Sequence, residues 1–260
     1  MSDKTDRKYA LIAEGLHKGY SYGYPPVFTD ETFSIHLEEG DFGVLFGESA
    51  SGKTTAARMI AGLLASDSGT VTLFGETFDA RETVSSGFRP GIAIAHEDPE
   101  RKLDHKKRIG TIIGEPLRAR GFKGNSLRKE VEDIMQLCLL RPDMKNRRPT
   151  QLSTGEMIRA SIACALAHRP RLLICDEITA AQSIKNRVYL RNMLHDYAKE
   201  HHCTVLFITQ DPLPLREIGT RFFMMQGCTI LEEGTAEEVL DHPKHKVTAQ
   251  MLDMLREFSM

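Results

Sequence analysis

The sequence predicts an α/β chain with a mostly parallel sheet flanked by helices and a helical segment inserted midway. Three observations carry that expectation. Short apolar runs alternate with helical patterns toward both ends of the chain, the order a parallel sheet with helices on its faces requires. One run, Gly91–Ala95, is apolar without a break, as expected for a strand covered on both faces. Residues 98–170 contain no convincing strand and at least two stretches with apolar residues at helical spacing.

The chain is organised around Gly47-Glu48-Ser49-Ala50-Ser51-Gly52-Lys53-Thr54. This stretch fits the phosphate-binding pattern G-x-x-x-x-G-K-S/T at every fixed position. It follows the apolar run Phe42–Phe46 and opens through Thr55 into a helical stretch that ends near Gly62. Small residues let successive backbone N–H groups turn inward around the β- and γ-phosphates of a nucleotide, and the helix N-terminus adds its partial positive charge. Lys53 is expected to bridge the terminal phosphates, and the Thr54 hydroxyl to ligate Mg²⁺.

Composition narrows the classes. At 260 residues the chain can bury one large core or two modest ones. Charged residues make up 27% and the formal net charge is −2, so no broad basic bias favours nucleic acid as a main partner. Cys138, Cys164, Cys175, Cys203 and Cys228 show no C-x-x-C spacing and mostly sit in apolar runs. They read as reduced, buried thiols of a cytosolic protein. The start, Ser2–Lys8, is polar and charged, so no secretory leader is expected. No apolar stretch approaches the ~20 residues of a membrane span; in a membrane process, other subunits would supply the spans.

The remaining elements follow in order. Residues 1–8 read as a frayed tail and Tyr9–Ala13 as a short strand. Gly15–Pro26, rich in Gly, Tyr and Pro, reads as a loop. Its aromatics either pack locally or offer a ring to a nucleobase, with Tyr20 the first choice and Tyr22 close behind. Thr32–Leu37 alternates with period two, as a half-buried strand does. Thr70–Phe74 is a further strand, closed by Gly75. Arg101–Arg108 is a basic run, read as a solvated face. Leu127, Val131, Ile134, Met135 and Cys138 recur at helical spacing after a Ser126 cap, and a second helix follows Ser153. Strands are expected at Arg171–Cys175 and Thr204–Ile208. Between them lies a helix from Ile184 to Glu200, with Val188, Leu194 and Tyr197 on one side. Phe222–Met225 and Thr229–Leu231 read as a last strand pair around Gln226-Gly227, and Thr235–Leu240 and Val247–Phe258 as helices.

Two stretches add chemistry. Asp176 ends a hydrophobic strand, a position that suits a Mg²⁺ carboxylate in a phosphate-loop enzyme. Glu177 beside it can orient and polarise a water for attack on a γ-phosphate. Leu152-Ser153-Thr154-Gly155-Glu156 opens a helix with a serine and a glycine that can present hydroxyl and N–H donors to an anion; alone it reads as an ordinary N-cap.

The order of these pieces resembles the nucleotide-binding subunit of ABC transporters, from about Leu11 to Met251. Gly47–Thr54 resembles its Walker A loop, Leu152–Glu156 its LSGGQ signature, and Leu172–Glu177 its Walker B strand with the catalytic glutamate. The peptide/nickel importer branch is the most similar, through His96-Glu97-Asp98-Pro99, Glu115-Pro116-Leu117 and the Asp241–Thr248 segment. The resemblance implies a P-loop NTPase core with an antiparallel β subdomain and an inserted helical subdomain. The chain then divides into residues 1–97, the first part of the ATP-binding core, 98–170, the helical subdomain, and 171–260, the second part of the core. It also implies ATP and Mg²⁺ as cofactors, with Thr54, Asp176 and Glu97 toward the metal. Ser153 and Gly155 would reach the ATP of a partner subunit. The chain would sit on the cytoplasmic face of the membrane, with integral permease subunits and, indirectly, a solute-binding protein as partners.

Several positions depart from the family pattern. Glu97 stands where a glutamine is usual, and Thr154 and Glu156 replace a glycine and a glutamine of the signature. The usual S-A-L-D reads Ala180-Ala181-Gln182-Ser183, Ile178 replaces a proline, and Gln210 replaces the switch histidine. Gln210 can donate a hydrogen bond to a γ-phosphate but carries no positive charge. Binding determinants are intact and the residues that complete hydrolysis are partly eroded. In a family whose subunits work as homo- or heterodimers, that pattern favours a heterodimer with a more regular homologue, and slow turnover by this chain alone. The alternative is an ATP-gated structural subunit with little hydrolysis of its own.

Overall fold

The computed structural model describes residues 8–19, 32–84, 88–96, 98–179 and 181–258. Two sheets form. The smaller is antiparallel, of order β2-β1-β4-β5, built from β1 (Tyr9–His17), β2 (Phe33–Glu38), β4 (Ser68–Leu73) and β5 (Glu76–Asp79). The larger has the order β10-β9-β3-β8-β7-β6. It comprises β3 (Phe42–Phe46), β6 (Ile92–Ala95), β7 (Leu172–Asp176), β8 (Thr204–Thr209), β9 (Arg221–Gln226) and β10 (Thr229–Gly234). All its neighbours pair in parallel except β9 with β10, a hairpin at the edge.

Both faces of the large sheet are buried, and alternate residues serve different cores. Leu45, Ile174, Leu206 and Ile208 face one cluster; Phe42, Val44, Phe46, Leu173, Cys175 and Phe207 face the other. The first cluster also takes Ala56, Met59 and Ile60 of α1 (Lys53–Ile60) and Leu11, Ile35 and Val71 of the small sheet. One core therefore ties α1 to both sheets. The second cluster runs on into α2 (Ile109–Ala119), α3 (Gly124–Leu137), α4 (Thr154–Ala167) and α5 (Ile184–Glu200). The helical stretch thus shares its apolar core with the sheet. The last helix is α6 (Lys246–Phe258).

Several elements differ from the sequence reading. Helix α2 was not expected, and it carries Pro116 in its interior. A mid-helix proline costs about 3 kcal/mol. Burying Ile109, Ile113 and Leu117 returns about 1.5–3 kcal/mol each, so packing wins. Ser126 does not cap α3. The N-cap is Lys123, and Ser126 lies at the third helical position, where its hydroxyl donates to the Lys123 carbonyl at 2.7 Å. On α5 the buried side is Leu190, Met193, Leu194, Tyr197 and Ala198, whereas Val188 is 44% exposed. Thr235–Leu240 gives only a short π-helical turn, Glu237–Asp241. Strand β5 has no apolar run, and is held by pairing of Glu76–Asp79 with Thr70–Leu73.

None of the five cysteines is in a disulfide among the described residues. Cys138, Cys175, Cys203 and Cys228 are buried and Cys164 is partly so. Burial pushes the Cys164 and Cys203 thiols up to about 12, which keeps them neutral. Among the described residues no helix is long and apolar enough to cross a membrane.

Candidate active site

Strand β3 ends at Phe46, and the chain turns through Gly47–Gly52 before α1 starts at Lys53. The turn needs its glycines. A Cβ on Gly47 would lie 2.1 Å from the Met225 carbonyl oxygen. Gly52 caps α1 at φ 101°, where a Cβ would lie 2.6 Å from Cys228 Sγ. The β9–β10 hairpin thus braces the loop from behind, and the Cys228 N–H donates to the Ser51 carbonyl at 3.0 Å. Glu48, Ser49 and Ala50 are exposed along the rim, while Ser51 and Gly52 are buried.

Lys53 is 5% exposed and folds back over the loop. Its ammonium donates to the carbonyls of Gly47 at 2.9 Å and Glu48 at 2.7 Å, with Ser51 Oγ at 3.4 Å. The loop therefore encloses a fixed positive charge at the start of a helix, where backbone N–H groups also lack intrahelical partners. Thr54 and Thr55 are the next two residues of α1, both partly buried.

Strand β7 delivers the carboxylates. It lies beside β8, which lies beside β3, so the three carboxyl ends align at one edge. Asp176 is 4% exposed, and its Oδ1 accepts a hydrogen bond from Thr54 Oγ1 at 3.0 Å. Glu177 is 8% exposed and adopts φ 50°, a left-handed conformation uncommon for a non-glycine residue. Its N–H donates to the Ile208 carbonyl at 3.1 Å, which fixes the turn, and its carboxylate comes within 4.0 Å of the Lys53 ammonium. Strained backbone of this kind concentrates at functional sites.

Gln210 follows the end of β8 and is exposed. Its neighbour Asp211 is held by the turn: its N–H donates to Thr209 Oγ1 at 3.1 Å, and its carboxylate accepts from the Leu213 N–H at 3.1 Å. Burial pushes the Asp211 carboxyl up from its ordinary value. Ser153 and Gly155 sit elsewhere, at the start of α4. Ser153 is the N-cap, its Oγ accepting from Glu156 N at 3.4 Å while Glu156 Oε2 accepts from Ser153 N at 2.9 Å. Among the described residues none of their hydrogen bonds reaches the phosphate loop. Gly155 touches the turn after Glu177 instead, its carbonyl accepting from Gln182 Nε2 at 3.0 Å. Tyr20, Tyr22 and Glu97 lie outside the described residues.

Sequence reasoning missed the supports: Cys228 and Met225 behind the loop, and Gln182 and Arg159 beside the signature-like turn. Only the departure of Gln182 from the usual leucine could have flagged one of them.

The arrangement joins a buried lysine, a helix N-terminus and two enclosed carboxylates at one sheet edge. It can take up a phosphate chain with its divalent ion and present a carboxylate to a water. The ABC transporter family model matches residues 31–180. A protein of Brucella abortus, named as a peptide import ATP-binding protein, is 32% identical over 226 residues, covering 85% of this chain and 67% of that protein. The oligopeptide transport ATP-binding protein OppF of Streptococcus mutans is 32% identical over 230 residues, covering 87% of this chain and 75% of that protein. Among solved structures, the dimeric cassette MJ0796 bound to ADP and Pi superimposes with a TM-score of 0.78 at 22% identity, over 87% of this chain and 98% of that one. The cbiO1 protein of Clostridium perfringens, part of the ABC transporter complex cbiONQ, gives a TM-score of 0.73 at 22% identity, over 97% and 100%. At that identity the structural matches speak to the fold, and the family rests on the sequence match across more than half the chain: this protein belongs to the ABC transporter family, as an ATPase of the ATP-binding cassette type.

Proposed function

We propose that this chain binds ATP·Mg²⁺ and powers an importer, with peptides or nickel as cargo, in a dimer with a second and more regular cassette subunit. The observation that carries the reading is the meeting of Thr54 and Asp176 at 3.0 Å beside the enclosed Lys53 ammonium. The relatives named for peptide and oligopeptide import favour peptides as cargo.

In this reading the N–H groups of Gly47–Thr55 and the Lys53 ammonium hold the phosphate chain. The Thr54 hydroxyl and the Asp176 carboxylate are hard oxygen donors within reach of each other. They suit Mg²⁺, which prefers one or two protein oxygens together with substrate phosphates. A bound ion supplies neutralisation of charge on the β- and γ-phosphates. Glu177 accepts a hydrogen bond from the attacking water and aligns it. Gln210, one residue past β8, donates an amide hydrogen bond to the γ-phosphate in place of a charged imidazole. Glu97 contributes a further carboxylate toward the ion, and Tyr20 stacks on adenine; both assignments rest on sequence alone. Ser153 and Gly155 meet the ATP held by the partner, so ATP bridges two chains and its higher affinity for the closed pair drives closure.

The division into residues 1–97, 98–170 and 171–260 fits this scheme: the helical middle segment touches integral permease subunits on the inner face of the membrane. A solute-binding protein would contact only the permeases, and nucleic acid has no part. Titration of the protein with labelled ATP and Mg²⁺ tests the core of the proposal. Saturable uptake that Lys53→Ala abolishes supports it; no uptake, alone or with the companion subunit, overturns it. The second reading, an ATP-gated structural subunit, is favoured by one feature: the exposed Gln210 cannot carry the charge of the usual histidine.

A further inference from the structure

The turn between β7 and α5 holds a buried amide that the reactions above do not use. Gln182 is 5% exposed. Its Nε2 donates to the Gly155 carbonyl at 3.0 Å, and its Oε1 accepts from Arg159 Nη1 at 2.8 Å. Its own carbonyl accepts from Arg187 Nε at 3.0 Å. One residue therefore joins three pieces: the first turns of α4, the turn that follows Glu177, and the first turn of α5.

The fit leaves little slack. A Cβ on Gly155 would lie 3.1 Å from the Ala181 carbonyl oxygen and 3.4 Å from Gln182 Nε2. Arg159 is partly buried, and burial pulls its guanidinium below the usual range. Its Nε is buried without a hydrogen-bond partner. Among the described residues Gln182 Oε1 is the one acceptor its guanidinium reaches. Losing that acceptor would leave the partly buried guanidinium without its hydrogen bond to the described residues, a cost that holds the amide in place. On the other side, the Arg187 charge opposes the effect of burial on Asp211, beside Gln210. Two of the pieces so joined carry Ser153 and Glu177, and Arg187 on the third acts electrostatically on Asp211, the neighbour of Gln210.

We propose that Gln182 is a positioning residue that makes the Ser153–Gly155 turn and the loop behind Glu177 move as one unit. Nucleotide bound at Lys53, Thr54 and Asp176 then reshapes the surface this chain offers to a partner's nucleotide. The proposal rests on the nucleotide-binding reading above. It needs both ends of an amide: a leucine supplies neither hydrogen bond, and a glutamate keeps the Arg159 contact but has no donor for the Gly155 carbonyl.

The test is amide hydrogen exchange across residues 153–159 of the full chain, with and without ATP·Mg²⁺, beside an ATP titration of each variant. In the unsubstituted protein ATP·Mg²⁺ slows exchange there about tenfold, an opening free energy change of about 1.4 kcal/mol. In Gln182→Leu the slowing is lost while ATP affinity stays within about twofold, and Gln182→Glu retains part of it. Equal slowing in the Leu variant overturns the proposal. So does exchange that is faster to the same degree with and without nucleotide, the mark of a purely structural fastener, and so does an unsubstituted protein that binds ATP with no slowing. If Gln182→Leu does not fold, Gln182→Glu decides by the same criteria. Absence of saturable ATP uptake by the unsubstituted protein is a separate result: it defeats the nucleotide-binding reading and the latch with it.

Discussion

The Lys53 ammonium and the Glu177 carboxylate face each other at 4.0 Å, with side chains only 6% and 10% exposed. A buried carboxylate left opposite an incoming γ-phosphate is repelled by it, and here the lysine charge lies between the roles of binding and catalysis. Replacing the carboxylate with an amide separates the two. In Glu177→Gln, ATP turnover falls by about 10²–10⁴-fold, the usual contribution of a positioned base, while ATP affinity does not fall. Phosphate release and an ATP titration on the same preparation check both halves. In the assembled transporter, unaffected transport with this substitution would instead establish the ATP-gated structural role.

Gln210 offers the converse experiment. Its exposed position one residue beyond β8 leaves room for an imidazole. Gln210→His raises steady-state ATP hydrolysis by about tenfold or more, because a partly charged, proton-transferring group replaces a neutral amide. An unchanged rate would show that another departure, such as Ser183 or Glu156, limits turnover.

Gly52 and Cys228 form a tight contact that a two-residue cycle can measure. Gly52→Ala places a methyl 2.6 Å from the sulfur at φ 101°. It destabilises the fold by about 1–3 kcal/mol and weakens ATP binding with it. Adding Cys228→Ala removes the sulfur clash but not the backbone strain, so the double variant recovers part of the loss, a coupling of about 0.5–3 kcal/mol. Denaturant midpoints of the four proteins give the coupling directly.

His96 makes stability depend on pH. Burial, then the charges of Lys102 and Arg58, push its imidazole down to about 4. The unfolded chain binds the proton more readily, since a free histidine titrates near 6.5. Stability from this residue is therefore full above pH 6.5 and is lost as pH falls toward 4. The expected loss between pH 7 and pH 5 is roughly 2 kcal/mol. Denaturation curves at the two values, compared with His96→Asn, isolate it: the variant lacks that part of the pH dependence.

How much of this was legible depended on how local the cause was. The bounds of β3 were read directly from Phe42–Phe46, and α5 from Ile184 to Glu200, because apolar runs, caps and breakers act within a few residues. Helix α2 was not legible, since Pro116 argues against it and only the shared packing of Ile109, Ile113 and Leu117 outweighs that local signal. The buried side of α5 was misjudged at Val188, because several faces of that helix carry apolar residues and only its neighbours select one. Of the candidate site, the phosphate loop, Asp176 and Glu177 were named by motif. Gln182 was noticed only as a departure.

By itself the sequence determined that a strand feeds a glycine-lined loop with Lys53 and Thr54 at its exit, and that a second apolar strand ends in two carboxylates. These are chain-local facts, set by residue type and spacing. What the tertiary structure decided is who meets whom. Parallel pairing of β3, β8 and β7 sets Thr54 against Asp176 across 122 positions. The β9–β10 hairpin puts Cys228 behind Gly52, and the β7–α5 turn brings Gln182 to Gly155 and Arg159. Such contacts depend on strand order and on buried polar groups finding partners, which no short window of sequence encodes.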